Sequence, residues 1–566
     1  MAEAPNYKRI IFNVILGILV LVWSFYILDR GFYMDEAGLL SLYKGIYQGN
    51  RMFVDSWGPF QLGGLITYPL FALYYNVLEP ILTPLGFGFV IYTRACYQVI
   101  RLLIAVYLYY CIRKTKYASN AFVVALTYYA FFVSFKNISY KSMCDFGIIL
   151  FLCFAARYYD TRNKFYFVLM GLATCLTIMA YPSMIVFPIV LVICMLIMSY
   201  RGYELVMPVA IYSVTCFAIG AVVLVYLQLT SGLENILPQL QYLEDSAYKY
   251  PAYVRLGMML LSYVVFFIIA VVPILVMKLF SRFRYVSDHA MQIVLSIYWI
   301  VFMIAVIALR PGSVSTSRFI YGCLIIFFWY PFLINNEEKS EYIRIGQYKL
   351  PEYDSRHMLK FMFFISALVQ MIWAFSTNQE ITVPGHMSIY VVLALLMIAD
   401  EEYAGLKLLK TAVVVLVLFF MGFWVAEGDG GYSDILESRT YVSYGAYQGI
   451  ALNETDYQMD AVCYDLMTKY ISEDDKLFAL YGYSNSAYLN TDAIQAAGSP
   501  YSRAGIDQNR VLEYWQVNPE RTPDYILLDT SNKYYEEYLQ GTTAAYINEN
   551  YTTTVATEGT FILLTR

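Results

Sequence analysis

Apolar and polar positions along this chain alternate on the scale of a lipid bilayer, in runs of about 20 residues, rather than with the period of a strand or a surface helix. Windows of about 19 residues predict spans near 9–28, 88–112, 118–135, 145–159, 165–180, 182–199, 205–229, 255–279, 290–309, 318–334, 358–376, 386–399 and 410–426. After Ala426 the pattern breaks into GDGGYSDILES and becomes polar and acidic. The expected fold is mainly α: a polytopic bundle of about thirteen transmembrane helices over residues 1–426, then a small soluble α/β domain over 427–566. In that tail the pattern predicts a helix near 456–471, strands at 476–482 and 524–529, a helix near 532–547 and a terminal hairpin around Glu558-Gly559.

Two apolar stretches do not fit the span pattern. Pro69 interrupts 62–78, and counting that stretch as a span would turn Arg113, Lys114 and Lys116 outward, so it reads as interfacial or re-entrant. Segment 36–48, with Leu39, Leu40, Leu42 and Tyr43 set against Lys44, reads as a second interfacial helix. An odd number of spans separates the termini. The Lys and Arg bias then puts the N-terminus in the cytoplasm and the tail outside a multi-pass plasma membrane protein.

Composition agrees: 59% of residues are apolar and 14% charged, and the mean hydropathy is +0.53. The apolar run 10–28 follows Lys8 and Arg9, but without a small-residue cleavage site it reads as a retained span. Of nine cysteines only Cys463 lies in the tail, none has metal spacing, and the three histidines are scattered. The sequence has no Gly-rich nucleotide loop, no feature of a nucleic-acid partner, and no repeat of 20–50 residues. The 57 tyrosines read as interfacial anchoring and packing, or as sugar-stacking surface in the outer loops.

Candidate chemistry collects in the outer loops. YMDEAG places Asp35 and Glu36 just beyond the first span, where two acids are costly unless solvated or used. A carboxylate there can deprotonate an acceptor hydroxyl, or with its neighbour hold a divalent cation, magnesium or manganese; that choice stays open. Asp35 also suits a helix N-cap. In FVDSWGPF, Asp55 reads as a turn cap or an acceptor contact, and Trp57 as a headgroup anchor or sugar platform.

FKNISYKSMCDFG gathers Lys136, Lys141 and Asp145; the lysines suit a carrier phosphate, and Asp145 is a candidate second acid. The loop 231–251 carries Glu244 and Asp245, candidates for the acceptor side. RPGSVSTSRF brings Arg310 and Arg318 to the water–lipid boundary with hydroxyls between them, a set suited to an anionic headgroup. Arg94 and Arg101, seven residues apart on one face, read as bridges between spans, with a phosphate role for Arg94 as the alternative.

These residues resemble the GT-C class of integral membrane glycosyltransferases, in particular the family 39-like bacterial branch related to protein O-mannosyltransferases and lipid A aminoarabinose transferases. The resemblance is carried by DEAGLLSLYKGIYQGN at 35–50, WGPFQLGGLITYPLFALY at 57–74, Arg94 in YTRACYQVIRLL, and SRFIYG at 317–322. It implies a polyprenyl-phosphate-linked sugar donor, an extracytoplasmic acceptor, inversion at the anomeric carbon, Asp35 as base or acceptor-positioning acid with Glu36 in support, and Arg318 with Lys136 or Lys141 on the carrier phosphate. The 57–69 stretch lacks the family's paired prolines, and SRFIYG has Phe where Tyr is common. A lipid-linked glycan flippase or a non-catalytic envelope scaffold is the competing reading. Flippases place ionisable residues midway along spans, whereas here the acids collect in loops.

Overall fold

The computed structural model describes residues 7–115, 117–131, 136–201, 204–243, 251–281, 288–309, 342–345, 348–351, 355–377, 387, 389–398, 404–423, 439–480, 482–500, 508–532 and 535–566. Helices of the apolar region run in order as α1 (Tyr7–Tyr26), α2 (Met34–Tyr47), α3 (Gly63–Leu73), α4 (Phe89–Arg113), α5 (Ala121–Ala130), α6 (Tyr140–Thr161), α7 (Phe165–Ala180), α8 (Val186–Tyr200), α9 (Val206–Thr230), α10 (Ala252–Ser281), α11 (Asp288–Leu309), α12 (Ser355–Thr377), α13 (Ile389–Ile398) and α14 (Lys407–Phe423). A helix overlaps every expected span but 318–334, which lies outside the described residues. Apolar chain in lipid must satisfy its backbone hydrogen bonds internally, and the helix does so.

The chain is a multi-pass membrane protein. Seven described segments are long and apolar enough to cross a bilayer, among them Ile10–Asp29, Phe89–Arg113, Tyr140–Thr161 and Val206–Thr230. Their burial differs with position. Most of α6 is enclosed by neighbours, whereas α9 turns Val214, Phe217, Val222 and Leu229 outward, as a lipid-facing helix does. Close packing of α6 on α7 depends on Gly147: a Cβ there would run into Thr177 Oγ1 and lie 2.8 Å from the Ala173 carbonyl.

Gly63–Leu85 also has the length to cross, yet its ends say otherwise. Phe60, just before it, stacks on Tyr140 at the start of α6, and Thr83 at its far end accepts from Gln448 of the tail. Both ends therefore meet elements of the same face, and the segment runs along that face, bent around Pro69 and a wide π-turn at Tyr74–Leu78.

The tail folds around a five-stranded sheet of order β6-β5-β7-β9-β8. Its strands are β5 (Lys476–Ala479), β6 (Ile494–Gln495), β7 (Tyr525–Asp529), β8 (Thr553–Glu558) and β9 (Phe561–Thr565). β6 and β7 flank β5 in parallel, and the β8–β9 hairpin closes the β7 edge antiparallel. The near-continuous apolar runs KLFAL and YILLD suit strands covered on both faces. Phe478, Ile526 and Leu528 pack with Trp515 and Ile547, while Leu477, Ala479 and Leu527 pack with Cys463, Leu466 and Met467. The first set faces α16 (Gln508–Val517) and α17 (Thr542–Asn550), and the second faces α15 (Glu454–Tyr470), which Asn453 caps at the Asp456 amide.

The sequence anticipates β5, β7 and the terminal hairpin but not β6, and runs the helix near 532–547 as one piece; it is broken at Gly541. It gave no sign of α16, or of the short pairs β1–β2 (Tyr342–Ile345 with Tyr348–Pro351) and β3–β4 (Thr440–Tyr441 with Ala451–Leu452). The expected domain boundary at 426/427 lies outside the described residues.

Residues 29–62 join bundle and tail. α2 was expected on a membrane surface; Leu39, Leu40, Leu42, Tyr43 and Lys44 are instead all buried, because α3 covers one side and the tail the other. Lys44 Nζ reaches the carbonyls of Leu489 and Thr491 and the Asp492 carboxylate at 2.8–3.2 Å, and burial pushes its ammonium below the ordinary lysine value.

Farther on, Gln61 braces the loop through the Ser56 and Gly58 carbonyls and the Phe53 amide. Trp57 is fully buried, stacked on Tyr242 at 4.3 Å, edge-on to Tyr514, with Nε1 donating to Gln239. Replacing Trp57 with Ala is expected to cost about 3–5 kcal/mol at this junction, read as faster proteolytic release of the tail from the full-length protein.

Candidate functional site

The first turn of α2 carries the acidic pair. Tyr33 is extended and makes no side-chain cap, so Asp35 and Glu36 both lie inside the helix, where its positive end favours them. One residue of helix separates their directions by about 100°. Asp35 is exposed, and Glu36 is fully buried.

Glu36 faces Arg94 of α4. Arg94 Nε and Nη2 donate to the two carboxylate oxygens at 2.9 and 2.5 Å, and its remaining N–H groups reach the carbonyls of Leu28, Arg30 and Gly31 at 2.8–3.0 Å. All five guanidinium donors are thereby used. Asn137 Nδ2 adds bonds to Glu36 at 2.6 Å and Thr93 at 3.0 Å, and Lys136 Nζ donates to the Ile27 carbonyl at 2.9 Å. Burial first, then the Arg94 charge, hold the Lys136 ammonium well below the ordinary lysine value. Both Glu36 oxygens are thus engaged by Arg94 and Asn137. Among the described residues no group of three or more His, Cys, Asp or Glu side chains comes together for a metal.

Two turns along α4, Arg101 donates to the carbonyls of Tyr128, Tyr129 and Phe131, which end α5, and to the Tyr97 hydroxyl. Asp145 lies buried beside this cluster and accepts from Tyr128 Oη at 3.2 Å and Tyr390 Oη at 2.9 Å. Lys141 is half-buried next to Tyr140, whose ring stacks on Phe60 at 3.9 Å. Asp55 is held between Arg51 and Arg521 at 2.7 and 2.8 Å, at the junction with the tail. The structure thus brings Asp35, Glu36, Arg94 and Lys136 together and gives Asp55 and Trp57 to the junction. Arg310, Arg318, Glu244 and Asp245 lie outside the described residues.

Sequence reasoning missed the tail's share of this site. Tyr447 is fully buried, packs on Phe32 at 5.1 Å, and lies close to both Glu36 and Asp460. The Ala446 and Gln448 carbonyls that flank it accept from the Val90 and Gly88 amides at the start of α4. Asn485 donates to the Met34 carbonyl at 3.4 Å. No local pattern marks a lone Asn or Tyr, such as Asn137 or Tyr447, as a partner of a distant acid.

No family model matches the chain, and no curated protein matches it. Solved structures similar to it include the oligosaccharyltransferase AglB of Archaeoglobus fulgidus in complex with an inhibitory peptide and a dolichol-phosphate. That pair has 12% identity over 97% of this chain and 73% of that one, with a TM-score of 0.44. ArnT of Cupriavidus metallidurans bound to undecaprenyl phosphate is similar at 11% identity over 99% and 98% of the two chains, with a TM-score of 0.42.

Glu36→Gln leaves the Arg94 charge buried without its counter-ion and is expected to destabilise the protein by about 3–5 kcal/mol. Pairing it with Arg94→Met should recover much of that loss, as read by thermal unfolding in nanodiscs. Asp460 supplies a pH test. Its carboxyl is buried with no completed hydrogen bond, Ser486 and Asn490 being its polar neighbours, and burial raises its pKa from 3.8 to about 7. A raised folded value means stability that is full below the unfolded pKa and lost as pH rises through about 7. Asp460→Asn should remove about 3 kcal/mol of the stability lost between pH 5 and 8, measured by hydrogen exchange in α15.

Proposed function

We propose that this chain is a membrane glycosyltransferase that moves a sugar from a polyprenyl-phosphate donor to a hydroxyl of an acceptor on the side of the tail, outside the plasma membrane. The carrying observation is the divided acidic pair: Glu36 is locked to Arg94, which fixes the first turn of α2, and Asp35 on that same turn is exposed beneath the tail. A positioned carboxylate next to a lipid surface suits general-base catalysis, which is typically worth 10²–10⁴-fold in rate.

In this reading Asp35 accepts the proton of the acceptor hydroxyl as that oxygen attacks the anomeric carbon. The bond to the phosphate breaks on the opposite face, the configuration inverts, and polyprenyl phosphate leaves. Fixed cations stabilise the charge that develops on the leaving phosphate, the larger electrostatic task. Lys141 at the head of α6, with Arg310 and Arg318 of the sequence stretch RPGSVSTSRF, is assigned to it. Arg94 and Glu36 act by holding Asp35 in place, since their own hydrogen-bonding capacity is used internally. The step is written without a metal ion, because both Glu36 oxygens are already held by Arg94 and Asn137.

A transporter or scaffold has no need of an exposed base held at fixed geometry. Asp35→Asn preserves shape and removes basicity. Transfer of labelled sugar from a polyprenyl-phosphate donor, in membranes with normal expression of the variant, is expected to fall by about 10²-fold or more. Unchanged transfer would overturn the assignment and favour transport or scaffolding.

A further inference from the structure

A second binding place lies at the end of the bundle away from the tail. α4 begins against the tail, where the Gly88 and Val90 amides meet the Gln448 and Ala446 carbonyls, and runs for 25 residues. At 1.5 Å per residue that is about 37 Å, so its last turn reaches the opposite face of the bilayer. α6 runs the same way, from next to the Glu36 partner Asn137 down to Thr161.

Between the far ends of α4 and α6 is a cleft with about 380 Å³ of space, part of it open to its surroundings. Its walls include Leu108 and Ile112 of α4, Leu152 of α6, Met362 of α12, and Leu393 and Met397 of α13, all buried. Thr115 brings the one hydroxyl among the lining side chains, and that hydroxyl is spent on the Ile112 carbonyl and the Tyr117 amide. The cleft therefore suits hydrocarbon and has nothing with which to hold a sugar or a water. Thr115 and Ala156, both half-exposed, form its mouth.

Cations converge beside that mouth. Lys114 Nζ and the Arg157 guanidinium, each next in sequence to a mouth residue, lie 5.7 and 5.4 Å from the centre of the same Tyr110 ring, so α4 and α6 bring one cation each to one spot. Arg113 is exposed one residue earlier. Asp160, the acid at this place, is paired with Arg157, and the three cations outnumber it. An apolar slot with cations at its mouth, at the level where headgroups begin, matches the chemistry of an anionic phospholipid.

We propose that an anionic phospholipid binds here from the leaflet opposite the tail, with the end of one acyl chain in the cleft and its phosphate at Lys114 and Arg157. The site lies a bilayer's thickness from Asp35 and does not rest on the transferase reading.

The test is native mass spectrometry of the full-length, delipidated protein, titrated in detergent with phosphatidylglycerol and with phosphatidylcholine carrying the same oleoyl chains. The wild type is expected to hold phosphatidylglycerol about tenfold more tightly. Lys114→Gln combined with Arg157→Gln removes both charges and should bring the two lipids level. Ala156→Phe and Thr115→Trp obstruct the mouth from its two sides, and each should weaken phosphatidylglycerol about tenfold. Unfolding curves identify a variant that has lost its fold, and the others then decide. Equal retention of the two lipids by the wild type, a preference that survives the charge variant, or phosphatidylglycerol binding that a folded mouth variant leaves unchanged overturns the proposal.

Discussion

The ion pair between Glu36 and Arg94 is the constraint on which the rest of the site depends. Removing two charges from water costs several kcal/mol per ion, and the attraction offsets that cost only when every remaining polar atom is bonded. Here it is: five guanidinium donors and both carboxylate oxygens are engaged, with Asn137 completing the set. The donors that do not reach Glu36 end on carbonyls that follow α1, so one side chain ties the end of α1, the start of α2 and the body of α4 together. Asp35 has its position because its neighbour has no freedom.

Arg101 repeats the device two turns along α4. It gathers the unpaired carbonyls at the end of α5, where water would otherwise be needed to satisfy them. Buried arginines in a lipid-embedded bundle thus work as connectors between helix ends, and the chemistry is left to groups that the connectors do not consume. The same division holds in the first loop. Lys44, Asp55 and Trp57 are spent on the tail, which makes residues 29–62 a shared wall of bundle and soluble domain.

That shared wall gives the tail a part in the site. Its 445–451 segment is bonded to the start of α4, Asn485 to the start of α2, and Tyr447 packs on Phe32 just before α2. The segment that follows β5 is consequently bonded, through Asn485, to the same helical turn that presents Asp35.

The sequence by itself determined what depends on local pattern. Runs of apolar residues the thickness of a bilayer predict helices, and α7 fills 165–180 as expected, because chain in lipid has no other way to satisfy its backbone. The strands KLFA and YILLD follow from apolar runs of strand length, and the acidic pair stands out as two charges next to a span. Only the tertiary structure decided which of the two acids is exposed, since that turns on Arg94, 58 residues away. It decided too that Lys44 and Trp57 face the tail rather than lipid or sugar, and that Asp145 is closed in by tyrosines from two other helices. Partners hundreds of residues apart set those outcomes, and no spacing along a chain records them.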